Sequence, residues 1–468
     1  MNSLLAFAPF LSLSAAVALV IGAHLARWSV ALVFLLVGSG VATAWWIGFG
    51  QLLINEPLWG IRFDALASLG TQIILPAIII VAYLAIKSSA VDRQLSALLL
   101  VLIAGVGAMA SIVSHHWMVL FVAIQCMSIP IYALIAGDGS DQKAVSAALR
   151  YLLLSTISMA IMLFGILLLY AATGSADFYE QSVFIQSSGL SRLIILGFSL
   201  VLVGLAFKLS ILPFHLWAPE VYQGAPYFVV SLMVVIAKSA VLVAFLRIWL
   251  LLFNGRSSAL SHMIGMMAIC SMWVGSSMML TQKKPLRLIA FLSISHMGFL
   301  LVALLAGSLA GVEAIFIDLI AFSLAVLVLL ASLRSLDFDD FSGLAHKKPW
   351  LALSIGLAFL SLAGTPLTAG FIGKYSIIKA GLAANLWQYV PHMVLTSLLS
   401  IVALIRLVFL MLQPNQETPT TKLSLSELGI VLGTVILLVI GMGPEGLIIW
   451  IKQEMTGLAD LAHYVARP

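Results

Sequence analysis

Long apolar segments, each about the length of a membrane-spanning helix, follow one another along almost the whole chain. The connections between them are short, and the longest polar stretches are residues 174–191, 334–349 and 413–427. The pattern predicts an all-α integral membrane protein with no inserted soluble domain. A window of about 20 mostly apolar residues predicts roughly fourteen spanning helices. They start near residues 4, 28, 68, 95, 116, 147, 192, 221, 261, 286, 312, 349, 387 and 425.

The composition is that of a protein that crosses the membrane many times. Of 468 residues, 62% are hydrophobic and only 9% are charged, whereas an average soluble domain is about 25% charged. The net charge of +5 is spread over the loops, so we expect no nucleic-acid partner. The two cysteines, Cys126 and Cys270, are too few for an iron–sulfur cluster, which takes about four ligands. We therefore expect no metal and no redox chemistry in this chain.

Lysine and arginine are distributed unevenly between successive loops. The odd-numbered loops hold roughly twice as many as the even-numbered loops and the tails. By the positive-inside rule, the odd loops face the cytoplasm and both termini face the opposite side. The chain begins directly with an apolar segment, which we expect to be its first spanning helix rather than a cleaved signal.

A few ionisable residues fall inside the apolar segments. A lysine at the centre of a membrane helix costs about 2.5–3.5 kcal/mol on an insertion scale, so such residues are functional-site candidates by default. For any single one, the alternative is that it reaches the membrane surface or forms a structural pair. These residues are Lys208, Lys238, His296, Asp318, Lys374 and Arg406.

Two of the lysines lie beside a helix breaker. Pro213 follows Lys208 by five residues, and Lys374 directly follows the sequence AGTPLTAGFIG. Broken backbone at membrane depth is tolerated only where it is buried in protein or lines a wet cavity. Corresponding interruptions in two halves of a chain indicate a repeat transporter with its site near the membrane midplane.

The buried lysines suggest a proton relay. Burial among aliphatic side chains penalises the charged form of an amine, so a row of such groups linked by water can pass protons on. A secondary transporter for a small solute is the competing class, but it would need a cavity lined by polar side chains. Two further motifs are interpreted structurally: GMGPEG at 441–446 ends a helix, and the adjacent His115 and His116 lack metal-ligand spacing.

Several segments resemble a known family. The segments LAFKLSILPFHLWAPEVYQGAP (205–226), LSISHMGFLLVAL (292–304) and LAGTPLTAGFIGKY (362–375) are similar to the antiporter-like membrane subunits of proton-pumping NADH:quinone oxidoreductase, respiratory complex I. Within that family the chain most resembles subunit N, the bacterial counterpart of mitochondrial subunit 2, whose sixth helix is similar to residues 151–175. The resemblance covers residues from about 95 to about 410.

The resemblance implies a fold as well as a set of partners. The fold has about fourteen helices with two inverted repeats of about five helices each, in which predicted helices 7 and 12 are broken. The expected partners are other membrane-arm subunits, the lipid bilayer and protons, in a bacterial inner membrane. Flavin mononucleotide, iron–sulfur clusters, NADH and quinone would be bound by other subunits. The implied division is residues 1–94 (helices 1–3), 95–255 (first repeat, helices 4–8), 256–412 (second repeat, helices 9–13) and 413–468 (helix 14 and tail).

The resemblance also implies residue roles. Lys208 would be the central lysine of the first half-channel, Lys238 the connecting lysine, His296 a link on the proton path and Lys374 the terminal lysine. His215, in the Pro-Phe-His segment, would modify the path.

The chain departs from the family pattern at two positions. Gln125 stands where the family usually has a glutamate that pairs with the lysine of helix 7, and Asp318 stands where an aromatic residue is expected. A glutamine cannot ionise, so Lys208 lacks its expected partner, and Asp318 is a candidate for a relocated carboxylate. Three interpretations stay open: a working proton channel, a subunit that transmits change without moving its own proton, and a subunit of a related membrane-bound hydrogenase or cation/proton antiporter.

Overall fold

The fold is seen in a computed structural model that describes residues 8–25, 29–49, 60–253, 257–333, 341–413 and 425–455. Helices account for nearly all of these residues, and the described part of the chain contains two isolated β-bridges but no strand. The helices are α1 Ala8–Leu25, α2 Val30–Phe49, α3 Ala65–Ser88, α4 Gln94–Val113, α5 Trp117–Ala136, α6 Gln142–Thr173, α7 Phe178–Ser188, α8 Arg192–Leu209, α9 Trp217–Gly224, α10 Tyr227–Phe253, α11 Ser258–Met279, α12 Pro285–Leu305, α13 Leu309–Leu333, α14 Leu344–Lys347, α15 Pro349–Ala363, α16 Ala369–Ala383, α17 Val390–Met411, α18 Leu425–Met442 and α19 Glu445–Met455.

The predicted all-α membrane class is confirmed. Within the described ranges, ten helices are long and apolar enough to cross a membrane, and an eleventh span exists if the bent pair α18 and α19 is counted as one. Further apolar segments lie in α1 (Leu11–Ala23), in α2 (Val30–Ala42) and in α15 (Pro349–Ala363), and the last is a helix of 15 residues. A total of about fourteen spans therefore stays a prediction. The first residues of the segment predicted near residue 4, and both chain ends, lie outside the described residues.

Two compact units make up the chain. The first unit comprises residues 1–209, 224–261 and 453–468, and the second comprises residues 210–223 and 262–452. These units do not test the predicted division into two inverted repeats or the four predicted segments, which stay predictions.

Both predicted helix interruptions are present. Helix α8 ends at Leu209, one residue after Lys208, and the next helix begins only at Trp217. Helix α15 ends at Ala363, and its C-cap residue Gly364 has a φ of 84°, in the left-handed region that favours glycine. Pro366 follows, and α16 begins at Ala369. Each interruption lies next to one of the two lysines that the sequence associates with a helix breaker.

In the first unit, close helix packing brings three helices together around Lys208. Helix α6 packs along α8, and α5 packs on α6. A Cβ atom at Gly165 of α6 would collide with the backbone of α8 at Gly197 and Val201. Small residues at such a contact let two membrane helices approach until their backbones touch. This approach places the side chains of α5, α6 and α8 in one buried layer.

In the second unit, helices α12, α13, α15 and α16 pack against one another. A Cβ at Gly373 of α16 would collide with the backbone and carboxylate of Asp318 on α13. The absence of a side chain at this position therefore lets α16 lie directly against Asp318.

The polar stretch 174–191 contains a helix that hydrophobicity alone does not predict. Asp177 caps the start of α7, since its Oδ1 accepts hydrogen bonds from the backbone N–H groups of Tyr179 and Glu180. The indole N–H of Trp117 donates to Gln181 Oε1 at 2.8 Å and ties α7 to the start of α5.

Candidate functional site

Lys208 occupies a cage of hydroxyl groups and aromatic rings in the first unit. Its Nζ donates to Ser128 Oγ of α5 at 2.7 Å and to Ser155 Oγ of α6 at 2.8 Å. The Tyr132 hydroxyl donates to the same Ser155 oxygen at 2.6 Å. The amine also lies 5.1 Å from the ring centroid of Tyr151, within range of a cation–π interaction. In the part of the chain that the structure describes, the amine is thus held without a carboxylate in contact with it.

Gln125 lies on the face of α5 that carries this cage. It precedes Ser128 by three residues and Tyr132 by seven, a spacing that puts all three side chains on one side of a helix. Its Oε1 is buried and has no hydrogen-bond partner among the described residues. Within the described ranges, no Asp or Glu lies at ion-pair distance from Lys208. Gln125 therefore stands near the site, as the resemblance implies, but leaves it without an acid.

Lys238 lies near the middle of α10 and is 1% exposed. Every residue from 228 to 253 is buried, so the lysine meets protein and not lipid. Residues Leu232–Ala237, directly before it, form a turn of π-helix. Such π-helical turns are rare and often occur at functional sites, because they change the direction of side chains after the widened turn.

Lys374 is held by the broken helix of the second unit. Its Nζ donates to the carbonyl oxygen of Ala363 at 2.8 Å and lies 5.0 Å from the ring centroid of Phe299. Ala363 is the last residue of α15, and carbonyl groups at a helix C-terminus lack partners within the helix. They also carry partial negative charge, which attracts a cation. The interruption thus supplies the lysine with a hydrogen-bond acceptor.

His296 and Asp318 lie beside this lysine. His296 Nε2 is 3.0 Å from Asp318 Oδ2, and these side chains are 7% and 2% exposed. The atoms are at ion-pair distance but do not form a well-directed hydrogen bond. The His296 ring stacks on Phe322 with centroids 3.7 Å apart. Both residues line one cavity together with Lys374, and Asp318 acts electrostatically on the lysine.

His215 lies in the connection between α8 and α9. It is partly buried, and its ring Nδ1 has no hydrogen-bond partner in the described part of the chain. The second unit therefore brings together His296, Asp318 and Lys374, whereas the contacts of His215 join it to none of these three residues.

Sequence reasoning missed a buried ion pair in the first unit. Arg247 of α10 is fully buried, and its Nη2 and Nε donate to the two carboxylate oxygens of Asp64 at 2.6 and 3.1 Å. Its Nη1 donates to the carbonyl oxygen of Ile112. Asp64 also caps α3, where it accepts a hydrogen bond from Ala67 N at 2.8 Å. The sequence does carry a signal for Arg247, because this charged residue lies in the same apolar segment as Lys238, nine residues after it.

His115 completes this cluster, with its Nε2 3.6 Å from Asp64 Oδ2. Burial and the neighbouring charge of Arg247 lower the pKa of His115 to about 3, against the opposing effect of Asp64. Burial raises the pKa of Asp64, but the charge of Arg247 and the hydrogen bonds from Arg247 and Ala67 outweigh it and leave that pKa below its ordinary value. The cluster therefore holds a carboxylate, a guanidinium and a neutral imidazole.

Arg406 has a structural role. It is exposed, and its guanidinium donates to the carbonyl oxygens of Leu280 and Gln282 at 2.9 Å each, just beyond the end of α11. His116 is likewise a cap, since its ring Nδ1 accepts a hydrogen bond from Met118 N at the start of α5. In the described ranges, no group of three or more His, Cys, Asp and Glu side chains could hold a metal ion.

The chain is similar to known membrane proteins. The model of a family described as NADH:quinone oxidoreductase/Mrp antiporter, transmembrane, matches residues 114–400. A chain of respiratory complex I from Thermus thermophilus with bound aureothin is 27% identical, with a TM-score of 0.83 over 94% of this chain and 98% of that one. Two more distant chains show the fold alone. One, at 23% identity and a TM-score of 0.86, is from a membrane-bound sulfane sulfur reductase, an archaeal respiratory membrane complex, and the match covers 99% of both chains. The other, at 19% identity and a TM-score of 0.86, is from the Mrp complex of a Dietzia species, again over 99% of both chains.

Proposed function

The chain belongs to the NADH:quinone oxidoreductase/Mrp antiporter transmembrane family, and on that premise we propose that it conducts protons as a membrane-arm subunit of a larger complex. The observation that carries the proposal is the position of Lys374. Its amine is buried beside a helix interruption, donates to the carbonyl oxygen of Ala363 at the end of α15, and lines one cavity with His296. A desolvated amine next to an imidazole is suited to receive and release a proton.

The proposed path comprises Lys208, Lys238, His296 and Lys374. Each of these side chains is at least nine-tenths buried within the protein, although a charged group at membrane depth is costly. Lys208 and Lys374 lie beside the two helix interruptions, which is where irregular backbone can line a wet cavity. This placement supports a role in proton transfer over a role in lipid contact.

The specific complex is also a proposal. We favour subunit N of bacterial NADH:quinone oxidoreductase, because the quoted segments resemble that subunit and the chain is 27% identical to a complex I chain. In such a complex, NADH oxidation and quinone reduction take place on other subunits, which hold flavin mononucleotide and iron–sulfur clusters. The fold is shared with chains of Mrp and sulfane sulfur reductase complexes. Purification of the native complex and identification of its companions by mass spectrometry would decide among these assemblies.

The membrane location follows the same proposal. The complex would lie in the bacterial inner membrane, with both chain termini on the periplasmic side, as the distribution of Lys and Arg over the loops predicts. Reporter fusions at each terminus would test this orientation, and activity of a cytoplasmic reporter at either end would contradict it.

A pair of lysine variants in α16 tests proton conduction. Lys374→Met removes the buried amine, whereas Lys379→Met removes an exposed amine from the same helix. Loss of a positioned proton-transfer group typically slows the transfer by on the order of 100-fold. In membrane vesicles that contain the assembled complex, we expect Lys374→Met to lower proton uptake per substrate turnover and Lys379→Met to have no effect. If both variants pump like the parent, the proposal is wrong.

A second candidate function is suggested by the cage around Lys208. Because the described residues in contact with this amine are hydroxyl groups and rings, the first unit could transmit conformational change without moving its own proton. Lys208→Ala separates the candidates, because unchanged proton transport would favour the purely transmitting role. Gln125→Glu would supply an acid on the same helix face, and a gain in transport by this variant would show that the missing acid limits the first unit.

A further inference from the structure

The second unit has a carboxylate, that of Asp318, in the same cavity as its lysine. No Asp or Glu among the described residues is at ion-pair distance from Lys208 in the first unit. Asp318 is 2% exposed, and Gly373 of α16 leaves the space that its carboxylate occupies. A buried aspartate without a partner would be costly, and this one has His296 Nε2 at 3.0 Å. Among the described residues, neither Asp318 Oδ2 nor His296 Nε2 has a hydrogen-bond partner besides this mutual contact. An added proton between these two atoms would give each of them a hydrogen-bond partner.

The charges of the cluster indicate how many protons it can hold. With Asp318 ionised, His296 neutral and Lys374 protonated, the three side chains have no net charge. One further proton can reside on the imidazole or on the carboxylate, and in either form the three side chains then carry one net positive charge. Transfer between them moves one proton from Nε2 of the imidazolium to Oδ2 of the carboxylate, which leaves a neutral imidazole and a carboxylic acid.

We propose that Asp318 and His296 share one exchangeable proton beside the amine of Lys374, so that Asp318 is a proton-carrying residue of the second unit. This inference rests on the proposed proton conduction and adds Asp318 to the proposed path. The proton would be stored between Asp318 and His296 and leave by way of the cavity that they line with Lys374.

The helices packed on α13 bring no competing titratable group to Asp318 in the described ranges. Helix α12 contributes His296, and α16 contributes Lys374. Helix α15 contributes Ser361 to the cavity and the Ala363 carbonyl to the lysine. The titratable side chain of α18 is Glu427, in its first turn, where it pairs with Lys348 at 3.5 Å. The shared proton is therefore assigned to Asp318 and His296.

Infrared difference spectroscopy of the purified complex tests proton sharing without measuring transport. Acidification should produce a C=O stretching band of a protonated carboxylic acid that is lost in Asp318→Asn and kept in Glu313→Gln. Glu313 is the matched control, because it is an acid of the same helix that pairs with Lys452 near the surface at 3.8 Å. His296→Gln should shift the frequency of the band, since the carboxyl group then lacks the contact with the imidazole.

Proton transport by the same variants is the second measurement. We expect Asp318→Asn to slow transport by on the order of 100-fold, with partial recovery in Asp318→Glu. A band that is unaffected by both Asp318→Asn and His296→Gln would overturn proton sharing, even if Lys374→Met stops transport and so supports conduction. Conversely, a band assigned to Asp318 together with normal transport in Lys374→Met and Asp318→Asn would support proton sharing and refute conduction. If Asp318→Asn does not assemble, the band shift in His296→Gln decides.

Discussion

The ion pair between Arg247 and Asp64 gives a stability prediction that does not depend on the transport proposal. Arg247→Met introduces an uncharged side chain of similar length, and this leaves the Asp64 carboxylate buried without its counter-charge. Removal of one partner of a buried pair costs about 3–5 kcal/mol. This loss is a large share of the roughly 5–15 kcal/mol that stabilises a typical domain. We therefore expect less assembled protein in the membrane and faster thermal inactivation.

The double variant Asp64→Asn/Arg247→Met measures how far the two charges depend on each other. Asparagine can still cap α3, so Asp64→Asn removes the charge and keeps the cap. Removal of both charges should recover most of the loss seen in either single variant, because no unpaired charge is then buried. The measurement is the half-life of assembled complex on heating, for the parent, both single variants and the double variant.

An exposed arginine of the same unit provides the control. Arg93 pairs with Asp138 at 2.9 Å, and their side chains are 47% and 46% exposed. Such a surface pair contributes about 0–1 kcal/mol, so Arg93→Met should be nearly neutral. If Arg93→Met and Arg247→Met shorten the half-life equally, burial does not decide the cost. If the losses of the two single variants add up in the double variant, the reasoning about the pair is refuted.

Two further predictions concern His115 and Gly373. The pKa of His115 is about 3 in the folded chain and 6.5 ordinarily, so below about pH 6.5 the unfolded chain binds a proton that the folded chain does not. Stability should thus fall as the pH falls below that value, and His115→Gln should reduce this acid sensitivity of thermal inactivation; an unchanged pH profile would contradict the assignment. Gly373→Ala forces a methyl group against Asp318, which typically costs about 1–3 kcal/mol and should impair transport. Gly381→Ala on the same helix meets only an ordinary contact and should be tolerated, so equal effects of the two variants would argue against the close approach.

The fold class and the helix interruptions could be predicted because their signals are local. Apolar segments of spanning length predict membrane helices, and Gly364 with Pro366 marks the end of α15. The cost of a charge in an apolar segment likewise indicated Lys208 and Lys374 without knowledge of their partners. The number of spans is harder to predict from sequence, because α15 has only 15 residues and α18 and α19 form a bent pair.

The partners of these residues could not be predicted, because they depend on tertiary packing. Arg247 and Asp64 are separated by 183 residues, and an arginine near the end of an apolar segment is ordinarily expected to extend to the surface. Asp318 was identified as a candidate, but only the packing of α16 through Gly373 shows that it faces His296. The sequence left open whether Arg406 has a functional or a structural role. Its hydrogen bonds to two carbonyl groups favour the structural role.

The hydroxyl cage has a consequence for how quickly a proton can leave Lys208. The O–H groups of Ser128 and Ser155 can rotate, so each oxygen can accept from an ammonium group or donate to a neutral amine. A carboxylate can only accept while it is ionised, and it would strongly favour the ammonium form. The hydroxyl groups of the cage therefore hold the proton on Lys208 less strongly than a carboxylate would, which suits brief passage better than retention.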